Sequence, residues 1–464
     1  WAHWARPAFG VSIKKRDDSE ACSQALSNKL CAVLSSICPG AIGVGIKNNC
    51  PLILTFYYNL YMHTIMDSKN SLFFIVVPLG FEDVAQAELR EQLKKLSHQT
   101  DSIKQSKGGL EVELPLEIGL ALNHLLRIPT RILLRLEKFR CRDFPKLYKK
   151  TQTYPWAPFL LGKMPKLHVT AKKSRMIHTG RIEESITKGL QDYFKGYPPS
   201  KALQALGDST LAPPDLYVDF YDDNCQWSLN ISGEPLYIRS MKGQRYVMEA
   251  PIRENLAAAL MAILLPQYKH PGQPVLIDPM GGSGVFLSEA WAMGSKLDRP
   301  FAYQFFKKNL AVQIPDQGNR ADFSRYLYRD LDSKALEAAR HNLAPLIEQN
   351  LLDLAVEDLF QTGQKSTVEN TVLIVNPPYG VRLSMGPIGL FQLFMALIEK
   401  YSPKLMGLII PKDWAGGSDW SKVCKLAKQK SYRLALTRSF SNGGLDVVFV
   451  IWERAGVIIN DSNE

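Results

Sequence analysis

The chain has 464 residues, 46% of them apolar, and its 56 Lys and Arg outnumber its 45 Asp and Glu to give a formal charge of +11. That length and apolar content supply two or three packed cores and exclude disorder over most of the chain. With 22% charged residues and no apolar run of the roughly 20 residues that a bilayer span needs, a soluble, cytoplasmic protein with no membrane partner is expected, and the basic excess favours a polyanionic partner, nucleic acid first.

Four of the seven cysteines, Cys22, Cys31, Cys38 and Cys50, fall in the first 50 residues. They lack C-x-x-C pairs and partner histidines, so no metal site is expected there. Cys141, Cys225 and Cys424 are too scattered for a disulfide framework or a metal cluster, which suits a cytosolic body. Periodicity is weak over residues 1–65, and Met66 opens the first plausible domain. Residues 1–65 are therefore expected to be a non-native or dispensable extension.

From residue 72 the elements follow in order: a strand at 72–77, a turn at 78–80, an amphipathic helix at 83–96, a strand at 110–114 and a helix at 116–126. This β-α-β-α opening suits a small α+β domain. A strand at 130–136 then leads into Arg140, Arg142, Lys146, Lys149 and Lys150, interleaved with Phe139, Phe144, Tyr148, Tyr154 and Trp156. A second strand at 166–171 leads into Lys172, Lys173, Arg175 and His178, followed by a helix at 182–194 and strands at 216–221 and 227–232. Either basic cluster alone could be a solvated face. Two of them beside aromatics favour a surface that meets phosphates with cations and bases with rings. A Pro, Gly, Ser and Ala-rich loop is read at 196–214 and a linker at 241–249.

Beyond the linker, strands at 275–277, 326–329, 354–356, 372–375, 407–410, 433–438 and 447–452 are expected, with helices between the earlier ones. This alternation predicts an α/β Rossmann-like, doubly wound, mostly parallel sheet whose last two strands form an antiparallel end. Asp278, Pro279, Met280, Gly281, Gly282, Ser283 and Gly284 lie between the first of these strands and a helix at 285–293. There, a glycine-rich turn brings backbone close to a nucleotide-like ligand and presents free N–H groups. The run lacks the Gly-Lys-Ser/Thr ending of a phosphate-binding loop, which disfavours ATP hydrolysis. Asp330 ends the next strand, where a carboxylate can bond ribose hydroxyls. Asp332 can do the same or can cap the following helix, and Asp358 ends the third strand in the same way.

Asn376, Pro377, Pro378, Tyr379 and Gly380 follow the strand at 371–375. Together with the upstream glycine loop, they resemble S-adenosylmethionine-dependent methyltransferases that act on an exocyclic amino nitrogen of a base. The residue types suit that chemistry. Such an amine is a poor nucleophile because its lone pair is delocalised into the ring. Acceptors at the Asn376 side-chain oxygen and the Pro377 carbonyl would hold the nitrogen in line with the methyl group, and two prolines would pre-set the turn. Tyr379 would offer a ring for an extruded base. No metal or covalent nucleophile is required.

A narrower resemblance runs from Phe73 to about Trp452. The segments at 74–93, 126–136 and 144–156, together with His178-Thr179-Gly180, residues 229–236 and residues 250–259, are similar to the bacterial 23S rRNA (guanine-N2)-methyltransferase family, in its form with a single methyltransferase domain. That resemblance implies part of a ferredoxin-like domain at 66–115, a THUMP RNA-binding domain at 116–235, a linker at 236–249, a methyltransferase domain at 250–456 and a tail at 457–464. It further implies S-adenosylmethionine as cofactor, held by Asp278, Pro279, Gly281, Gly282, Ser283, Gly284, Asp330, Asp332, Asp358 and Asn376, with catalysis at residues 376–379. The RNA partner would be met by Arg140, Arg142, Lys146, Tyr148, Lys149, Lys150, Lys172, Lys173, Arg175 and His178. The chain departs from the family in reading Arg239-Ser240-Met241-Lys242-Gly243-Gln244-Arg245-Tyr246 where the family usually shows Arg-Gly-Tyr-Arg before the linker, which leaves the role of Arg239 open. It also has Gly281 where Cys is common, a small-for-small change expected to leave cofactor binding intact. A tRNA guanine-N2 methyltransferase, a DNA adenine-N6 methyltransferase and an inactive RNA-binding or ribosome-assembly protein remain alternatives, and the oligomeric state is not indicated.

Overall fold

The computed structural model describes residues 70–208, 210–239, 246, 252–315, 322–361, 365–378 and 389–455, all within one compact unit, Met62–Glu464. The expectations for residues 1–65, most of the linker, Tyr379 and the tail lie outside the described residues.

The N-terminal part is a seven-stranded sheet built from β1 Ser71–Val76, β2 Lys104–Ser106, β3 Gly109–Leu114, β4 Arg131–Arg140, β5 Leu167–Lys172, β6 Leu216–Tyr221 and β7 Asn224–Asn230, in the order β2-β3-β1-β4-β7-β6-β5. All neighbours are antiparallel except β5 and β6. Strand alternation divides it into two faces. Phe73, Ile75, Leu134, Val218 and Trp227 are buried on one face. Helices α1 Glu82–Lys95, α2 Leu116–Leu125, α3 Phe144–Thr153 and α4 Thr179–Gly196 accompany these strands. Helix α2 approaches so closely that a Cβ at Gly119 would stand 2.0 Å from the Phe73 ring. The other face carries Phe74, Arg135, Tyr217 and other residues only partly covered. Strand β1 bonds both β3 and β4, so the segments on either side of residue 115 share one sheet.

Helix α3 occupies a stretch that the sequence marks only as basic and aromatic. Its start is set locally: the Asp143 side chain accepts the Lys146 N–H at 2.8 Å, and Pro145 sits in the first turn.

The C-terminal part carries β8 Val275–Asp278, β9 Arg325–Asp330, β10 Leu352–Val356, β11 Thr371–Val375, β12 Leu405–Pro411, β13 Tyr432–Asn442 and β14 Leu445–Arg454, in the order β10-β9-β8-β11-β12-β14-β13. Only β14 runs against its neighbours, as the expected antiparallel end. All five residues of β11 are buried, as a central strand covered on both faces requires. Helices α5 Glu254–Leu264, α6 Val285–Ala292, α7 Ser333–Asn342, α8 Leu390–Tyr401 and α9 Ser418–Gln429 accompany these strands. Strand order reverses between β8 and β11, which makes their carboxyl ends the expected ligand crevice.

The two sheets are joined by buried charge. Glu289 on α6, 1% exposed, accepts from Arg127 Nε at 3.1 Å and from Arg239 Nε and Nη2 at 3.0 and 3.1 Å. Arg239 Nη2 also donates to the Arg127 carbonyl at 2.7 Å. Arg239 therefore ties the start of the linker to both parts. Burial would raise the Glu289 pKa, but the two guanidiniums outweigh it and hold the carboxyl down at about 2. Beside them, Glu88 of α1 accepts the Arg127 and Ile128 N–H groups at 2.8 and 3.1 Å, while burial pushes its carboxyl up to about 7.

Candidate active site

The ends of β8, β9 and β11 bring three sequence motifs together. Residues 279–284 turn sharply after β8, with Gly282 and Gly284 at φ +52° and +79°, a backbone region that favours glycine. Gly284 is also the N-cap of α6. Three bonds pin this loop to β9: Gly281 N–H to the Arg329 carbonyl at 3.0 Å, Gly282 N–H to Asp330 Oδ2 at 2.8 Å, and the Tyr328 hydroxyl to the Gly282 carbonyl at 2.7 Å. A fourth comes from α7, where Asn342 Nδ2 donates to the Ser283 carbonyl at 2.9 Å. The sequence reading missed Tyr328 and Asn342, and no motif marks either one.

The four carboxylates have different local roles. Asp278 is 1% exposed and accepts the Met280 N–H at 3.3 Å. Burial, reinforced by nearby Asp330, pushes its pKa up to about 8 despite that bond. Asp330 accepts Gly282 N–H on one oxygen and Asp332 N–H on the other, the latter at 2.9 Å. It shapes the loop, and each oxygen keeps a further lone pair for a ligand hydroxyl. Asp332 caps α7 through the Lys334 N–H at 2.8 Å, the second of its two expected roles. Asp358 closes a turn on the Phe360 N–H at 2.9 Å.

Asn376 leaves the end of β11, followed by buried Pro377 and half-buried Pro378. Its Oδ1 is buried and has no hydrogen-bond partner among the described residues. A buried amide oxygen without a donor is unfavourable, so the site holds a preformed acceptor beside the glycine loop.

The structure divides the ten residues assigned to RNA. Arg142 Nε pairs with Asp223 at 2.7 Å, and the Arg175 N–H donates to the other oxygen of the same carboxylate at 2.8 Å, so the two basic stretches meet at the β6–β7 turn. Lys150 pairs with Glu137 at 2.5 Å and lies over Phe139, and the Tyr148 hydroxyl donates to Asp192 at 2.8 Å. Lys146, Lys149, Lys173 and His178 are exposed. Arg140 and Lys172 are also exposed, at the ends of β4 and β5. Among the described residues, no group of three or more His, Cys, Asp or Glu could hold a metal ion, and no helix is long and apolar enough to cross a membrane.

The strand order and the loop after β8 define a class-I-like methyltransferase fold. The model of the RMKL-like methyltransferase domain matches residues 242–408. The chain is 26% identical over 336 residues to "Ribosomal RNA large subunit methyltransferase K/L" of Psychromonas ingrahamii, a match covering 67% of this chain and 42% of that relative. It thus spans about two fifths of the length of the curated relatives it matches. Together these matches establish a distant relationship, at the superfamily level, to those K/L proteins. Among solved structures, a possible methylase from Clostridium difficile 630 superimposes with a TM-score of 0.62 at 21% identity, covering 84% of this chain and 99% of that one. SMU.472, described as a candidate methyltransferase and solved with SAH, gives 0.60 at 21% identity, covering 84% and 100%.

Proposed function

We propose that the protein transfers a methyl group from S-adenosylmethionine to the exocyclic N2 amine of a guanine in RNA, with large-subunit ribosomal RNA as the first candidate. The observation that carries this reading is the donorless, buried Oδ1 of Asn376 beside a glycine loop at the switch point of the sheet. The relatives' name, which specifies ribosomal RNA of the large subunit, supports the substrate, and the SAH complex of SMU.472 supports the cofactor.

The residues present fit that cofactor. The turn is open at Gly282, where an added Cβ would meet nothing within 4 Å, Asp330 retains acceptor capacity for ribose hydroxyls, Asp358 stands at the neighbouring strand end, and Asp278 can face a cationic group. When bound, the cofactor supplies a methyl group already activated on a sulfonium, so the protein has to provide position rather than a nucleophile. Asn376 Oδ1 and the Pro377 carbonyl accept the two N–H bonds of the amine and hold its nitrogen toward the methyl group. Tyr379 stacks on the extruded base. In this reading the N-terminal sheet comprises the ferredoxin-like and THUMP segments and captures the RNA in the cytoplasm.

The test is radiolabelled methyl transfer from S-adenosylmethionine to separated ribosomal and transfer RNA pools, with the product base identified by mass spectrometry. N2-methylguanine in large-subunit RNA is expected. Label confined to transfer RNA would move the substrate, and N6-methyladenine would overturn the base.

A further inference from the structure

The far end of the N-terminal sheet carries a row of side chains that the transfer chemistry does not use. Register places Arg140 of β4 opposite Asn224 of β7, Asn224 opposite Tyr221 of β6, and Tyr221 beside Lys172 of β5. Directly paired residues share a face, so these four project together from the face that the helices leave open. Three strand spacings separate Arg140 from Lys172, about 15 Å. Tyr221 is 56% exposed between them, with Lys173 Nζ 5.5 Å from its ring centre. The ring closes β6 at the hairpin end, with Lys172 beside it on β5 and Arg140 beyond Asn224 on β4.

The rest of that face continues the same chemistry. Lys138 and Arg135 follow Arg140 back along β4, and Tyr217 stacks on His168 at 4.6 Å. The one carboxylate within the face's next row, Asp219, is engaged by the Thr170 hydroxyl at 2.7 Å and by Arg135 at 4.0 Å. The turn beyond Tyr221 carries exposed Asp222 and buried Asp223. Asp223 holds Arg142 and the Arg175 N–H, so the loops after β4 and β5 are fixed to the hairpin tip.

The geometry points to this row as a binding site for a single-stranded stretch of RNA, with one unpaired base stacked on Tyr221 and the flanking phosphates met by Arg140 on one side and by Lys172 and Lys173 on the other. A duplex cannot present a base face to the ring, whereas a loop or strand end can. The inference rests on RNA as the substrate class and locates where its unpaired nucleotides are held, away from the methyl-transfer crevice.

Binding of an unstructured oligouridine to the full chain, followed by fluorescence anisotropy across a salt series, tests it beside an RNA duplex of equal length. Tyr221→Leu should weaken oligouridine binding about tenfold and leave duplex binding unchanged, while Tyr221→Phe should retain wild-type affinity. Arg140→Gln and Lys172→Gln should each lower the slope of log affinity against log salt by about 0.7, which probes the row without altering the ring. Wild-type affinity in Tyr221→Leu, or equal losses for oligouridine and duplex, overturns the inference. Methyl transfer measured on the same preparations separates the two readings. Ring-dependent binding without transfer would strike only the catalytic proposal, and transfer with ring-independent binding would strike only this one.

Discussion

The ring of Tyr328 occupies the space that a side chain at Gly281 would need. A Cβ at 281 would lie 2.3 Å from Tyr328 Cε2, and the ring is fully buried with its hydroxyl bonded to the Gly282 carbonyl. Moving it would break the bond that shapes the loop. An exchange that is small by volume, such as the Cys common in the resembling family, is therefore not small in this chain. Gly281→Ala is expected to lose about 1–3 kcal/mol of stability, as overpacking in a close-packed site does, and to weaken binding of S-adenosylhomocysteine. Urea denaturation and calorimetry measure both, and a variant matching the wild type would show that the ring yields freely.

Asn376→Ala removes an oxygen that has no partner among the described residues. Its loss should leave stability nearly unchanged while lowering the transfer rate by about a hundredfold or more, the scale of losing one positioned polar group in a transition state. RNA binding should also persist. Single-turnover kinetics with labelled cofactor read the rate directly, and undiminished transfer would remove Asn376 from the mechanism.

The buried Asp278 carboxyl titrates at about 8 because burial disfavours its charged form. A cationic cofactor favours the carboxylate, so affinity should climb as pH rises toward 8, level off above it, and be accompanied by proton release. Asp278→Asn should abolish the dependence. For stability the sign is opposite: with the folded pKa above the ordinary value of 3.8, this group's contribution is complete below that value and is lost as pH rises through about 8. Calorimetry in buffers of different ionisation enthalpy counts the proton, and a flat pH profile would contradict the assignment.

Glu289 and Asp83 make ion pairs of unequal weight. Glu289→Ala would strand two arginines, Arg127 and Arg239, at a buried junction, and a loss of about 3–5 kcal/mol is expected. Asp83 pairs with Arg438 through two bonds at 2.7 and 2.8 Å, but its side chain is 56% exposed, so Asp83→Ala should cost at most about 1 kcal/mol. Chemical denaturation compares the two. Similar losses would mean that burial does not set the difference.

Much of the C-terminal sheet was readable because its chemistry is local. The β-branched runs at β8, β11 and β14, the glycines at 281, 282 and 284 and the paired prolines at 377 and 378 each constrain their own backbone. Helix α3 is not legible as a helix from its pattern, since aromatic and basic residues dominate it and only Leu147 and Thr151 are buried. Its cap at Asp143 was the signal available.

The amino-acid order determined the alternation of strand and helix, the glycine turn after β8 and an amide at the end of β11, because periodicity and backbone restriction act over a few residues. Only the tertiary structure decided that Tyr328 fits against Gly281, that Asp223 draws together two basic stretches more than thirty residues apart, that Arg239 and Arg127 share Glu289, and that Arg140, Tyr221 and Lys172 stand in one row. Those relationships depend on strand register and on which charges burial forces to find partners, and neither is written in any local pattern.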